Sequence, residues 1–388
     1  MKVLSLFSGI GTFEVALDEL GIEWELDHYC EIDKFACQSY NQIHGTTEAD
    51  NLKDVTNIDY NKIGDIDLLT YGFPCQDISL AGKQKGFHDD EGNLTRSGLF
   101  FNAADVIAHT KPKFAIFENV KNLTGKNMKK EFETVLSTLD ELGYNTYCKV
   151  LNAKDYGIPQ NRERVFGISI RKDIDKGYTF PEKQELKLRL KDMLENEVDE
   201  KYYLSDEVQK RFKLTDKTLS KNIIGTTAPE FRTIGQRDLV YQVNSVMGSL
   251  VATDYKQPKQ ILEPRVGQVG NIVNTGNWDN PQRGRIYSAE GLSPTLNCMQ
   301  GGGLEPKIVE PNSDDNLTDF RIRKLTPREC WRLMGFKDEY FDRVKGVSNA
   351  QLYKQAGNSI VVDVLRAIFT ELQNQYPEHF KTRLKRGE

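Results

Sequence analysis

The sequence lacks any stretch that looks able to cross a membrane, since no apolar run approaches the roughly 20 residues that a spanning helix needs. Its first residues, MKVLSLFSGIG, are apolar, but the run is short and has no small-residue cleavage site. It is therefore typical of a buried first strand and not of a signal peptide. These features predict a soluble, cytoplasmic protein without a membrane partner.

Patterns that bind metal are also missing. None of the six cysteines belongs to a C-x-x-C pair, and the motif H-E-x-x-H does not occur. Zinc sites use such spacings, so we predict no metal site. Most of the cysteines are expected to be free thiols that act as small core residues.

Positive charge is in short supply, because the formal net charge is −5. Phosphate contacts need lysine and arginine, so the overall balance argues mildly against a nucleic-acid partner. Local basic runs nevertheless occur at 121–130 (KNLTGKNMKK), 210–217 (KRFKLTDK) and 321–330 (RIRKLTPREC). Each run is either a solvated face or part of a local basic surface.

The first 172 residues alternate between short apolar runs and segments with a helical period. Residues 3–7, 66–73 and 113–120 predict buried strands, whereas 12–20 and 128–143 predict helices. This rhythm is typical of an α/β fold with a doubly wound, mostly parallel sheet and helices on both faces. The length of 388 residues suggests about two domains.

The composition changes near Pro181. Residues 182–201 are dense in charge and predict an exposed helix, and 223–320 are rich in glycine and asparagine with short β-prone stretches. Helical patterns return at 326–336 and near Val361. We therefore expect a second, smaller domain that is rich in loops and strands.

A glycine-containing turn follows the first predicted strand. In FSGIG (7–11), Gly9 and Gly11 allow a tight turn and the close approach of a ligand, and Glu31 ends the second strand where an acid would bind ribose hydroxyls. Glu14 replaces the third glycine of G-x-G-x-x-G, near the expected position of a pyrophosphate. A negative side chain there disfavours a dinucleotide and tolerates a positively charged sulfonium cofactor. A glycine turn without a ligand is the alternative.

One cysteine has an unusual setting. Cys75 in YGFPCQDISLAGKQKGF (71–87) follows Pro74 at the end of a predicted central strand, where open α/β sheets bind ligands. Lys83 and Lys85 would favour its thiolate if they come near. The alternative is a structural cysteine at a strand end.

Two further motifs offer acid and base groups. Glu118 in FENV ends another strand and is a candidate acid, or a partner of an arginine in a structural ion pair. Arg162 and Arg164 in QNRER face the same way if the chain is extended, or they are surface charges.

Taken in order, these motifs resemble those of the cytosine-5 DNA methyltransferases of bacteria and phages. The resemblance covers nearly the whole chain except roughly 185–320. The shared elements are FSGIG (7–11), Glu31, KDV (53–55), GFPCQ (72–76), RSGLF (96–100), ENV (118–120), YGIPQNRER (156–164), RKLTPRE (323–329) and QAGNS (355–359). The chain departs from the family at Thr12, where a glycine is usual, and KDV is a loose match.

The resemblance implies S-adenosylmethionine as the methyl donor and a flipped-out cytosine of double-stranded DNA as the acceptor. Cys75 would add to carbon 6, and Glu118 would share a proton with ring nitrogen 3. Arg164 would bind the ring carbonyl, Arg162 would steady the loop or the thiolate, and Asn119 would anchor the strand end. The cofactor-binding residues implied are Phe7, Gly9, Gly11, Glu31, Ile32, Asp54, Pro74, Leu99, Asn358 and Ser359.

The resemblance also implies how the chain meets DNA. The loop after Cys75 would close over the duplex, and a target-recognition domain would read base edges. The implied DNA-binding residues are Gln76, Ser79, Lys83, Lys85, Arg283 and Arg285. The catalytic domain would then be discontinuous, at 1–181 plus 345–388, with the target-recognition domain and its hinge at 182–344.

The expected role is restriction-modification or phage self-protection by a monomer. A tRNA cytosine-5 methyltransferase is the nearest alternative, because it shares the fold but not the long insertion. A catalytically silent binding protein is disfavoured by the intact set of Cys75, Glu118 and Arg164. A nicotinamide oxidoreductase is disfavoured by Glu14.

Overall fold

The computed structural model describes residues 1–74, 87, 96–202 and 325–383, together with eight short strands between 212 and 324. Its centre is a six-stranded sheet in the order β2-β1-β3-β4-β6-β5. The strands are β1 (Lys2–Leu6), β2 (Glu25–Cys30), β3 (Leu68–Tyr71), β4 (Phe114–Val120), β5 (Tyr144–Asn152) and β6 (Glu163–Arg171). Strand β1 runs parallel to β2 and β3, and β3 to β4, whereas β6 is antiparallel to β4 and β5. The predicted mostly parallel sheet is confirmed.

Helices cover both faces of this sheet. They are α1 (Thr12–Glu19), α2 (Lys34–His44), α3 (Phe100–Thr110), α4 (Lys129–Glu141), α5 (Pro327–Arg332), α6 (Asp338–Arg343), α7 (Asn349–Asn358) and α8 (Val362–Gln375). Short 3-10 helices lie at 48–50, 55–57, 60–62, 96–99, 121–124, 126–128, 153–156, 190–193 and 200–202. Among the described residues, no helix is long and apolar enough to cross a membrane.

The alternation of side chains along the strands divides the core in two. Val3, Leu68 and Phe114 pack on one face with α1 and α8, whereas Leu4 and Leu69 pack on the other with α3 and α4. Successive residues of a strand point to opposite faces, so strands with apolar residues on both faces require a layer of helices on each side. The doubly wound arrangement follows from this pattern.

The predicted exposed helix at 182–201 is wrong. Residues 182–189 form no helix, and the segment makes only 3-10 turns at Leu190–Met193 and Glu200–Tyr202. Leu190 and Met193 are buried in the same core cluster as Leu325 and Trp331. Residues 182–201 therefore form an irregular segment that buries isolated apolar side chains in the main core. The charge pattern alone gave no sign of this burial.

The described elements between 212 and 324 are all strands. They are β7 (Phe212–Lys213), β8 (Ile223–Thr226), β9 (Leu239–Gln242), β10 (Gln260–Leu262), β11 (Asn271–Ile272), β12 (Ile286–Ser288), β13 (Lys307–Pro311) and β14 (Phe320–Lys324). They pair as β10-β9-β8, β11-β7 and β12-β13-β14. The chain then returns to the main core, where Leu325, Trp331 and Tyr340 are buried.

Candidate active site

A partly buried ion pair lies at the end of β4. The Nε atom of Arg164 is 3.0 Å from Oε1 of Glu118, and both side chains are less than a fifth exposed. The register of β4 and β6 pairs Val120 with Arg164, so Arg164 and Glu118 are diagonal neighbours on the same face of the sheet. The ion pair that the sequence left open for Glu118 is therefore present.

The acidity of Glu118 is set by opposing effects. Burial raises the pKa of its carboxyl, and the positive charges of Arg164 and Arg162 offset only part of that rise. The carboxyl therefore holds a proton more readily than a surface glutamate does. A side chain in this state can give a proton to a bound base and accept one back.

Asn119 fixes the backbone that leads to Cys75. Its Nδ2 donates a hydrogen bond of 3.0 Å to the carbonyl of Phe73, and its Oδ1 accepts from the amide of Val120 at 2.8 Å. The neighbouring Gly72 is so close to Glu118 that an added Cβ would lie 3.8 Å from Oε2. Strand β3 therefore ends beside the carboxyl, with Phe73 held two positions before the cysteine.

Arg162 is buried and binds a different part of the chain. Its Nη2 donates to the carbonyls of Gly357 and Ser359 at 3.0 and 2.8 Å. The two arginines predicted to face the same way thus both act on the charge of Glu118, but Arg162 also ties the sheet to QAGNS. This contact places residues 357–359 at the edge of the sheet where Glu118 lies.

The glycine-containing turn adopts left-handed backbone at several positions. The φ angles are 53° at Phe7, 57° at Gly9 and 79° at Gly11. A Cβ at Gly11 would lie 2.1 Å from Nε2 of His44, whereas one at Gly9 would meet none of the described atoms within 4 Å. Gly11 is therefore required by packing, and Gly9 leaves one side of the turn open to a ligand.

The carboxylate of Glu31 holds this turn. Its Oε2 accepts from the amide of Gly9 at 2.9 Å, and its Oε1 accepts from the amides of Ile32 and Asp33 at 2.9 and 2.8 Å. Burial raises the pKa of Glu31. Ile32, next in the chain, is 77% exposed, which is unusual for a large apolar side chain. An acid and an exposed apolar side chain therefore stand together beside Gly9.

The expectation for Glu14 is wrong. Its side chain is fully buried, and its Oε1 accepts a hydrogen bond of 3.1 Å from the hydroxyl of Tyr40. Burial raises the pKa of this carboxyl. Glu14 therefore belongs to the interior beneath the turn, and it cannot select between a dinucleotide and a sulfonium cofactor by direct contact.

The end of α7 is tied to α2 by a residue to which sequence reasoning gave no role. Gln355 accepts at its Oε1 from the Ser39 hydroxyl at 3.1 Å and donates from Nε2 to the Phe35 carbonyl at 3.0 Å. Its own carbonyl accepts from the Ser359 hydroxyl at 2.8 Å. Only its place within QAGNS marked Gln355 in the sequence. Asn358, in contrast, is exposed.

The remaining predicted residues have varied positions. Asp54 precedes a 3-10 turn, where its Oδ1 accepts from the amide and hydroxyl of Thr56, and these bonds lower its pKa. Pro74 and Leu99 are half-buried. Some predicted site residues lie outside the described part of the chain, namely Cys75, Gln76, Ser79, Lys83, Lys85, Arg283 and Arg285. Within the described part, no cluster of His, Cys, Asp and Glu suits a metal ion.

The family model of the C-5 cytosine-specific DNA methylases matches residues 1–374. The chain belongs to this family. It is therefore a DNA (cytosine-5-)-methyltransferase, a member of a family that uses S-adenosylmethionine.

Two relatives and one solved structure illustrate the similarity. The orphan methyltransferase M.Rho11sI of Bacillus phage rho11s is 32% identical, over 97% of this chain and 98% of that protein. The type II methyltransferase M.HhaI of Haemophilus parahaemolyticus is 35% identical, over 95% of this chain and 93% of that protein. The crystal structure of the S. pombe Dnmt2 methyltransferase has a TM-score of 0.61 at 20% identity, over 97% of this chain and 99% of that one. This structural likeness supports the fold alone.

Proposed function

We propose that this methyltransferase transfers a methyl group from S-adenosylmethionine to carbon 5 of one cytosine in a short recognised sequence of double-stranded DNA. Carbon 5 is inaccessible inside the stacked duplex, so the cytosine is turned out into the site. The family membership supports DNA as the substrate.

Cys75 is the proposed nucleophile. Its thiolate forms a bond to carbon 6, and ring nitrogen 3 takes the proton that Glu118 holds, so carbon 5 becomes electron-rich. S-adenosylmethionine, when bound, supplies the methyl group on a positively charged sulfur. After methylation, water takes the proton from carbon 5, the bond between carbon 6 and sulfur breaks to return the Cys75 thiolate, and ring nitrogen 3 gives its proton back to Glu118, which leaves 5-methylcytosine.

The observation that carries this proposal is the meeting of Glu118, Arg164 and the end of β3. Arg164 orients the carboxyl, and its remaining guanidinium donors suit the carbonyl oxygen of a cytosine. Asn119 holds the carbonyl of Phe73, which precedes Cys75 by two positions in the sequence. An acid with a raised pKa, a fixed cation and a preceding thiol are the groups that this addition needs.

The cofactor fits beside the glycine-containing turn. Phe7, Gly9 and Gly11 would line the methionine part, Glu31 would take the ribose hydroxyls, Ile32 would cover the adenine, and Asp54 would accept from its amine. The open side of Gly9 and the exposure of Ile32 support this assignment. Pro74, Leu99, Asn358 and Ser359 would complete the site.

The domain division also remains a proposal. Burial of Leu190, Met193 and Leu325 in the main core favours a target-recognition domain narrower than 182–344, at about 203–324. Arg283 and Arg285 would read base edges there, and Gln76, Ser79, Lys83 and Lys85 would contact the DNA near the flipped base. We propose a monomer that protects DNA against a restriction enzyme, either within a restriction-modification system or for a phage.

DNA containing 5-fluorocytosine at the target tests the covalent step, because fluorine cannot leave carbon 5 as a proton does. Wild-type enzyme with S-adenosylmethionine should form an adduct that survives denaturing electrophoresis, and Cys75→Ser should not. Bisulfite sequencing of DNA from cells that express the enzyme should show one recurring short sequence. Methylation of that sequence without an adduct would overturn the role of Cys75, and modification of tRNA alone would overturn DNA as the substrate.

A further inference from the structure

A compact basic segment continues directly from the strand that carries Glu118. Residues 121–130 follow the last residue of β4 and lie at the edge of the sheet where β1, β3 and β4 end. Lys121 is 2.9 Å from Oε2 of Glu163, whose carbonyl accepts from Arg164. This segment, which we name the lysine turn, therefore adjoins the Glu118–Arg164 pair.

The lysine turn is anchored from below. Leu123 and Met128 are almost completely buried among the apolar residues of α3 and α4, and the chain between them makes two 3-10 helices. The Thr124 hydroxyl donates to the Lys121 carbonyl at 2.9 Å. A backbone held in this way presents its exposed side chains at little further cost in backbone conformational entropy.

The outward side chains are positive or neutral. Lys126 and Lys130 are exposed, and neither is within an ion-pair distance of a carboxylate among the described residues. Lys129 faces Glu133 at 3.5 Å, with both side chains more than 60% exposed, so that pair is weak. Asn127 is exposed between them and offers amide donors. A chain of net charge −5 thus has lysines without a carboxylate partner among the described residues next to the edge of the sheet where Glu118 lies.

We propose that the lysine turn binds the phosphate backbone of the substrate DNA, with Lys126 and Lys130 as the main contacts. The inference rests on the proposed function, because a duplex that delivers a base to Glu118 must pass this edge. The exposed amide of Asn127, which lies between Lys126 and Lys130 in the sequence, adds a donor that suits a phosphate oxygen. These contacts add affinity without selecting a sequence.

The double variant Lys126→Gln, Lys130→Gln tests the proposal. The dissociation constant for a duplex with the target sequence, and for one without it, is measured between about 50 and 200 mM salt. Each lost phosphate contact lowers the slope of log affinity against log salt by about 0.9, so loss of both makes the affinity change across this range about tenfold smaller than in wild type. Both duplexes should be affected alike.

The matched control is Lys62→Gln, Lys111→Gln. These lysines are exposed and precede β3 and β4, so they lie toward the opposite edge of the sheet, and the change in net charge is the same. The control should keep the wild-type salt slope. If both double variants change the slope equally, only net charge matters and the lysine turn is not a contact surface. If wild type methylates DNA and the lysine-turn variant keeps its slope, this inference fails alone, whereas failure of wild type to methylate DNA overturns the proposed function.

Discussion

Two glycines of the same turn should respond to alanine differently, one mainly by a loss of stability and the other mainly by a loss of cofactor binding. Both Gly9 and Gly11 have positive φ, so alanine at either position costs about 1–2 kcal/mol of stability from left-handed backbone. At Gly11 the new Cβ would also lie 2.1 Å from Nε2 of His44 and 2.8 Å from Cε2 of Tyr40. At Gly9 it would meet none of the described atoms within 4 Å.

The displacement at Gly11 has a further cost. His44 is partly buried, and this burial lowers its pKa to about 4, so the neutral ring donates from Nε2 to the Ile10 carbonyl at 3.2 Å. Moving the ring breaks this bond and overpacks the site, which adds about 2–4 kcal/mol. Gly11→Ala should therefore lose roughly 3–6 kcal/mol in the free energy of unfolding, and Gly9→Ala only about 1–2 kcal/mol.

Denaturant unfolding and calorimetric titration with S-adenosylmethionine separate the two effects. Gly9→Ala should remain folded and bind the cofactor at least tenfold more weakly, because its methyl group enters the open side of the turn. Equal losses of stability in the two variants would refute the packing argument for Gly11. Wild-type cofactor affinity in Gly9→Ala would refute the assignment of Gly9 to the cofactor site.

Three further substitutions test the carboxyl of Asp363, the contact of Gln355 with α2, and the packing of β6 against β4. Burial raises the pKa of Asp363 to about 6, although the positive charge of Arg366 opposes this rise. The folded state therefore binds more protons than the unfolded state between about pH 4 and 6. The free energy of unfolding should fall by about 2–3 kcal/mol as the pH rises through this window. Asp363→Asn should flatten that part of the stability profile, and an unchanged profile would contradict the assignment. Gln355→Leu removes both side-chain hydrogen bonds to α2. It should weaken cofactor binding several-fold while the KM for DNA stays constant. Equal changes in cofactor affinity and in the KM for DNA would indicate general damage. Gly167→Ala would put a Cβ 1.9 Å from the buried ring of Phe117. It should lower the free energy of unfolding by about 1–3 kcal/mol and reduce kcat, as measured by denaturant unfolding and by a methyl-transfer assay. Wild-type stability and kcat would show that the ring can move aside.

Local patterns predicted the elements that depend on local sequence. The helical period of TFEVALDEL predicted α1. Gly143, the last residue of the 128–143 pattern, has φ of 93°, as is typical of the position just beyond the end of a helix such as α4. The antiparallel placement of β6 between β4 and β5 was not predicted, because strand pairing is set by distant residues. The predicted helix at 182–201 was wrong for the same reason, because the buried Leu190 and Met193 of this segment pack against residues about 130 positions further along the chain.

The candidate site divides along similar lines. Motif order brought out Glu118, Asn119 and Arg164, and the structure joins the first and third of them directly. The carbonyl partners of Arg162 lie 195 and 197 residues away, so no local pattern could have shown them. Glu14 looked like a ligand-facing charge because only its tertiary contact with Tyr40 makes its burial understandable.

The packing of α8 against α1 has a consequence for synthesis on the ribosome. Phe13 and Phe369 meet edge to face with ring centroids 6.4 Å apart, so the two ends of the chain share one apolar layer. At about 5–20 residues per second, the first helix waits roughly 20–70 s for its partner to be translated. During that time the part of its apolar face that α8 covers in the folded enzyme is exposed, and the nascent chain is open to capture by chaperones or to aggregation until α8 is made.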